Sequence, residues 1–439
     1  MMDPIERLLA LLDSPRSSRE LQQRLGLSQP SVSRLLRRAG EQVARIGKGP
    51  ATRYARATSL FGTPRRTLPL FRIDGEGLIE ELATLRALAD GRYLVEAERP
   101  EPWLLGDAGS GLFDGVPYFL HDLRPAGFLG RQLARRLAAE WGVPQDPRDW
   151  GEMEIGRYLL GRGDDLPGDL VLGEAAVDRI GQREVVAAER AAYPGLAEAA
   201  LRDEAPGSSA AGEQPKFAVF QREAGHVIVK FSPAGTSPEA TRWRDLLRAE
   251  SHALGLLQRQ GFEAATAAIH DIGGRLFLES CRFDRVGLEG RAAAISLGMV
   301  DAEFAGEGHG WARTARSLCE RGLLDEGDRR RLVWLEAFGG WIGNTDMHLG
   351  NVSLCPSDKG FRLLPVYDML PMALAPVRGE LPTRQLRPPV RSATHEDLWL
   401  SAGRAAVDYW RALASDLHAS DGFRAASEQQ AARWEALLT

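Results

Sequence analysis

At 439 residues, 44% hydrophobic and 26% charged, the chain has room for two or three domains and a large apolar core, and its composition is that of an ordinary soluble globular protein. A formal net charge of -5 excludes a chain that coats nucleic acid along its whole length. There is no basic leader followed by an apolar stretch and no run of roughly 18 apolar residues, so neither secretion nor membrane spanning is expected. Cys281, Cys319 and Cys355 stand far apart in no metal-ligand spacing and read as reduced thiols of a cytoplasmic protein.

The charge is uneven: residues 1–57 carry about +6 and the remainder about -11. Such a basic end on an acidic body points to a local nucleic-acid contact. Ile5, Leu8, Leu9 and Leu12 recur at helical spacing behind Pro4. A second helix follows, capped by Ser17 or Ser18, carrying Leu21 and Leu25 and stopped by Gly26. After a short turn, Ser28 caps a third helix with Val32, Leu35 and Leu36 inward. Two short helices about a tight turn, the second rich in Arg and Ser, form a helix-turn-helix pattern. Residues 43–46 and 52–55 alternate like strands around Gly47-Lys48-Gly49-Pro50, the expected wing of a winged helix. Gln29, Ser31, Ser33 and Arg34 are placed to read base edges, and Arg37, Arg38, Lys48 and Arg53 to contact phosphate. The alternative is a small helical bundle with a solvated Arg face.

Residues 60–69 read as a linker. Beyond them the pattern predicts a helix over 78–88, short strands over 93–118, helices over 128–141 and 153–160, an apolar strand ending at Leu172, and a helix over 187–202.

Chemistry begins at Gly207-Ser208-Ser209-Ala210-Ala211-Gly212-Glu213-Gln214-Pro215-Lys216. Its glycines copy a Walker A interval, but Glu213-Gln214 replace the required Lys and Ser/Thr, so a P-loop NTPase is disfavoured. Small residues entering the strand 217–220 can still bring backbone N–H groups to phosphate. In the next strand, 226–231, Val227 and Val229 point one way and Lys230 the other, as for a lysine that pins nucleotide phosphates. Glu250, on the predicted helix 242–260, is the matching ion-pair partner. The strand 275–281 runs into Arg282-Phe283-Asp284-Arg285 and offers backbone groups to an adenine edge. Finally, Gly343-Asn344-Thr345-Asp346-Met347-His348-Leu349-Gly350-Asn351 and the strand-like 361–368 ending in Asp368 supply a carboxylate, an amide five residues later and a second carboxylate. That set suits a base that accepts a hydroxyl proton beside an Asn and an Asp that hold Mg²⁺.

These segments, in this order, resemble the HipA-type serine/threonine kinases, most closely the YjjJ-like branch that carries its own N-terminal helix-turn-helix. The resemblance is carried by Ser208–Phe217, Val229-Lys230, Arg282–Arg285, Gly343–Asn351 and Val366–Pro371. It implies an α+β, two-lobed protein-kinase-like fold with a helical C-lobe, using ATP and Mg²⁺. Asp346 is then the catalytic base, Lys230 the phosphate-binding lysine, and Asn351 and Asp368 the Mg²⁺ ligands. The implied nucleotide site spans Ser209, Ala210, Ala211, Gly212, Glu213, Gln214, Lys230, Glu279, Cys281, His348 and Asp368, with Leu278–Cys281 as the adenine connector. Ser209, or Ser208 beside it, falls where the family autophosphorylates to shut itself off. Two features depart from the family: Cys281 stands where an acidic residue is common, and the DNA reader is in the same chain rather than in a separate antitoxin.

The expected organisation is a winged helix-turn-helix over 1–60, a linker and kinase N-lobe over 61–285 and a helical C-lobe over 286–439. The expected partners are DNA and an unidentified protein substrate, and a palindromic DNA site would call for a homodimer. The competing readings are a DNA-binding regulator whose kinase-like body only senses nucleotide, and a Mg²⁺-dependent activity on nucleic acid.

Overall fold

The structure, a computed structural model, describes residues 3–202, 214–382, 385–391 and 395–439. It is mixed α+β and divides into two compact units: 1–124 with 148–183 and the turn 357–359, and 125–147 with 184–356 and 360–439. This division differs from the boundaries expected at 60 and 285. The strand expected to close the N-terminal domain continues into the next sheet, and the chain passes between units three times before residue 184.

In the first unit, helices α1 (Pro4–Leu11), α2 (Ser18–Leu25) and α3 (Gln29–Ala39) pack Leu8, Leu12, Leu21, Val32 and Leu35 into one cluster. Ser17 and Glu20 form a capping box on α2, and Gly26 closes it in the left-handed conformation. Ser28 occupies the N-cap of α3, but its hydroxyl meets Ser31 Oγ at 3.1 Å instead of bonding a helix N–H. Strands β1 (Val43–Ile46) and β2 (Arg53–Thr58) form the basic-tipped hairpin. β2 then pairs with β4 (Ile79–Leu88), which also pairs with β3 (Leu68–Ile73) and β5 (Tyr93–Glu96).

The helix expected over 78–88 is therefore the ten-residue strand β4. Leu78, Leu82 and Leu85 mimic helical spacing, yet burial alternates through Ala83, Leu85 and Ala87. Pairing on both edges overrides the weak local preference.

Helix α4 (Gly127–Trp141) belongs to the second unit, whereas α5 (Glu152–Arg162), β6 (Leu170–Leu172) and α6 (Glu174–Gln182) complete the first. The helix expected over 187–202 starts late. Residues 187–188 form β7, parallel to a sheet strand, and α7 spans Tyr193–Arg202.

The sheet of the second unit runs β10 (Ala267–Ile272), β11 (Arg275–Cys281), β9 (Gly225–Phe231), β8 (Lys216–Gln221), β7. Helix α8 (Pro238–Arg259) covers one face through Leu247 against Leu276 and Leu278. Tyr193 and Ala197 of α7 cover the other, against Phe217, Val227, Val229 and Phe277. Past α9 (Trp311–Glu320) and α10 (Glu326–Ile342), the hairpin β12 (Ser353–Ser357) and β13 (Gly360–Leu363) leads to Asp368. Helices α11 (Glu396–Ser415) and α12 (Asp421–Leu438) close the unit. Trp341, Trp410 and Trp434 are fully buried there, and indole N–H bonds run from Trp434 to Trp341 O (3.0 Å) and from Trp341 to Trp399 O (3.2 Å). The tryptophans are thus core, not stacking platforms.

Candidate active site

The register of the sheet places the first cations. Lys216 of β8 pairs with Lys230 of β9, and Lys230 with Leu278 of β11, so all three side chains share the face that α8 covers. On α8, Glu250 is 1% exposed and accepts Lys230 Nζ through both carboxylate oxygens, at 2.6 and 2.7 Å. Lys230 also donates to Asp368 Oδ1.

One ammonium thus lies between two carboxylates, and the cluster carries a net charge of about -1. The surplus is distributed by burial. Desolvation pushes the Glu250 carboxyl up, with Lys230 only partly opposing it. For Asp368, burial acts upward, but Lys230, with Lys216 beyond it, outweighs that and holds the carboxyl down to about 2. Burial also disfavours the Lys230 ammonium, yet Asp368 and Glu250 together keep its pKa above the ordinary value. Lys216 itself makes no ion pair among the described residues, which leaves it available on this face. The sequence reading did not assign it a role; the signal was its place at the first position of a strand registered against Lys230.

The loop after α10 is shaped by small residues. Gly343 ends the helix at φ 78°, and a Cβ there would meet Leu386 at 2.6 Å. Gly339 lies so close to Met347 that a Cβ would stand 2.2 Å from its sulfur. The buried Asn344 then joins two parts of the site. Its Oδ1 accepts the Asp346 N–H (3.0 Å), and its Nδ2 donates to Asp368 O (3.3 Å). Asp368 sits at φ 57°, a left-handed conformation that Asp tolerates and that this bond helps to hold.

Asn351 Nδ2 donates to Asp346 O at 2.7 Å. Its donor is therefore committed, and Oδ1 has no partner among the described residues, as is also true of Asp368 Oδ2. Both are hard oxygens, the donor type that Mg²⁺ takes. His348 Nδ1 accepts the Gly350 N–H (3.0 Å), which assigns the ring proton to Nε2 and leaves it a donor. Tyr367 OH donates to Gly350 O (3.2 Å), and Trp311 Nε1 to His348 O (3.1 Å), bracing the loop from both sides.

Not every expected residue converges. Glu279 and Cys281 register with Val229 and Val227, so their side chains lie on the face opposite Lys230. Glu279, 3% exposed, is held by Arg190 (3.0 and 3.1 Å) and Tyr193 OH (2.5 Å). The Cys281 thiol, raised by burial, packs near Ala224 O. Neither side chain reaches the Lys230 face, and only the backbone of 278–281 is left to meet a nucleobase. Ser208, Ser209, Ala210, Ala211, Gly212 and Glu213 lie outside the described residues. Gln214, the first described residue after them, is buried with its Nε2 unpartnered there. In the Arg282–Arg285 segment, Asp284 accepts Arg282 (2.6 and 2.9 Å) and Arg285 (2.8 Å) just after the connector.

In the first unit, Gln29, Arg34, Arg37, Arg38 and Lys48 are exposed, with Ser31 and Ser33 half-buried on the same helix. Arg53 is turned back on Pro15 O (3.2 Å) and Glu20 (4.0 Å).

Comparison with known proteins gives the family. Residues 64–181 match the model of the YjjJ-like toxin middle domain, and residues 208–435 that of the HipA-like C-terminal domain. The chain is 37% identical over 430 residues, 94% of each sequence, to Toxin YjjJ of Escherichia coli strain K12. Its backbone is similar, at TM-score 0.55 and 17% identity over 84% of this chain and 97% of the other, to a chain of the Shewanella oneidensis MR-1 HipA, HipB and operator DNA complex. The chain therefore belongs to the family of YjjJ-like toxins, with a HipA-like C-terminal domain.

Proposed function

We propose that the protein is an ATP- and Mg²⁺-dependent serine/threonine kinase joined to a winged helix-turn-helix that binds DNA. The observation that carries the kinase reading is the Lys230–Glu250–Asp368 cluster, tied through Asn344 to Asp346 and Asn351.

Each residue has a task that follows from its surroundings. Lys230, fixed by Glu250, meets the nucleotide phosphates, with Lys216 as a second cation on the same face. Asn351 Oδ1 and Asp368 hold Mg²⁺, which supplies charge neutralisation for the phosphates. Asp346 accepts the proton of the attacking hydroxyl as its oxygen bonds to the γ-phosphorus and the bond to the leaving ADP breaks. No covalent help from the protein is needed, so positioning and charge carry the catalysis. Ser208 or Ser209 is the autophosphorylated residue, and a further protein is the substrate. On the DNA side, α3 enters the major groove, the β1–β2 hairpin lies along the backbone, and two chains occupy a palindromic site in the cytoplasm.

The test is mass spectrometry of the protein after incubation with ATP and Mg²⁺, wild type beside Asp346→Asn. Phosphate on Ser208 or Ser209 is expected in the first and absent in the second; equal incorporation in both would remove Asp346 from the role of base.

A further inference from the structure

Two surfaces of the first unit have no partner among the described residues and complement each other. One is a hollow of about 360 Å³ between α1, the α2–α3 turn and α3. Its floor is Leu25, Leu27 and Leu35, and its rim is Arg7, Arg34 and Arg38. Leu27 is 38% exposed, and none of the three guanidinium groups forms a salt bridge among the described residues.

The other is the tip of the β3–β4 hairpin. Leu78 is 64% exposed and Ile79 36%, and Glu76, Glu80 and Glu81 around them form no salt bridge among the described residues. The tip is preorganised: Asp74 Oδ1 accepts the N–H of Glu76 (2.8 Å) and of Leu78 (2.9 Å), while Asp74 N donates to Leu78 O (3.0 Å). Little order has to be created when such a turn docks.

We propose that this acidic, leucine-tipped hairpin docks into the Arg-rimmed hollow of a second copy of the chain, reciprocally, and that the resulting pair competes with DNA for α3. The apolar tip matches an apolar floor, and three carboxylates match three guanidinium groups. A chain cannot fill its own hollow. β2 pairs with β4 at Leu88, nine residues or about 30 Å from Ile79, and β2 traced backward from Ala57 to Arg53 and the helices leads away from the tip. Reciprocal docking closes a two-fold pair and leaves no open end to propagate. The contact is small, so the pair is weak and salt-sensitive, and each half gains from the other. Arg34 and Arg38 are covered in the pair, so the DNA competition rests on the proposed DNA-binding reading; the self-association does not.

The test is sedimentation of the full chain from 1 to about 200 µM at low salt, without DNA. The expected result is a monomer–dimer equilibrium that Leu78→Asp shifts at least tenfold toward monomer, with circular dichroism unchanged. Replacing Glu76, Glu80 and Glu81 by Lys, or Arg7, Arg34 and Arg38 by Glu, has the same effect separately, and mixing those two variants restores dimers because each supplies the charge the other lacks. A wild type that stays monomeric throughout, or a mixture that fails to recover dimers, overturns the proposal. Binding of a duplex DNA probe then separates the two readings. Leu78→Asp is expected to bind DNA better than wild type at concentrations where wild type pairs. If Leu78→Asp loses self-association and neither it nor the wild type binds the duplex at all, the self-association stands and the DNA reading is removed.

Discussion

Replacing Lys230 by Met tests the charge cluster most directly. The substitution keeps the apolar stem and removes the single positive charge between Glu250, 1% exposed, and Asp368. Asp368 is held near 2 against an ordinary 3.8, which corresponds to about 2 kcal/mol of stability at neutral pH. Breaking a buried pair while leaving its carboxylates behind costs about 3–5 kcal/mol, so a loss of about 3 kcal/mol is expected at pH 7. The pH dependence has a definite sign. Asp368 has a depressed folded pKa, so its contribution in the wild type is complete above the unfolded value and declines as pH falls through about 2. In the variant both carboxyls are raised, so the penalty is full at high pH and is relieved as they take up protons on acidification. The gap between the two proteins must therefore narrow from pH 7 toward pH 4. Urea unfolding of the second unit, followed by tryptophan fluorescence at several pH values, measures it. A gap under about 1 kcal/mol at pH 7, or one that widens on acidification, refutes the reasoning. The double variant Lys230→Met, Glu250→Gln is expected to recover about half of the loss, because it removes the more buried charge.

Other consequences are independent of that experiment. Asn344→Ala removes both the bond to Asp346 N and the bond to Asp368 O, and the phosphotransfer rate is expected to fall by about 10- to 100-fold in a single-turnover assay with little change in far-ultraviolet circular dichroism. Lys216→Ala should raise KM for ATP several-fold and affect kcat less, since Lys230 keeps its own partners; an unchanged KM would remove Lys216 from the nucleotide site. Asn351→Ala is expected to shift the Mg²⁺ requirement to higher concentration, read from initial rates across a Mg²⁺ titration. Arg37→Ala, exposed on α3, should weaken DNA binding on every sequence alike and reduce the slope of log K against log salt by about 0.9 if it contacts one phosphate.

Much of the site could be read from the chain because its chemistry is local. Asp346 and Asn351 lie within one loop, and the alternation of β9 separates Val229 from Lys230 without further knowledge. Glu250 was also within reach, since α8 is long and strongly patterned. What escaped depends on registers between distant strands. Glu279 looks like a connector carboxylate in sequence, but its face is decided by its partner Val229 and its charge is taken up by Arg190 and Tyr193, more than 80 residues earlier. Asn344 was visible as a residue but not as a bridge, because Asp368 O comes within its reach only through the left-handed backbone at Asp368. The strand at 79–88 failed for the related reason that leucines spaced like a helix were claimed by edge pairing.

The division of the chain between the two units bears on how the protein can be made. Helix α4 is synthesised before residues 148–183, which belong to the first unit, yet the rest of its own unit comes after residue 184, including Ala200, whose carbonyl accepts Gln132 Nε2. A nascent chain must therefore hold α4 without its partners while the first unit is completed, an interval in which its apolar side is open to holdases or to misdocking. It also follows that no single cut yields both units whole. A fragment starting at residue 184 carries every side chain of the Lys230 cluster but lacks the helix that braces α7, the segment leading into the Ser208–Ser209 region, and so begins life with a wound on that side.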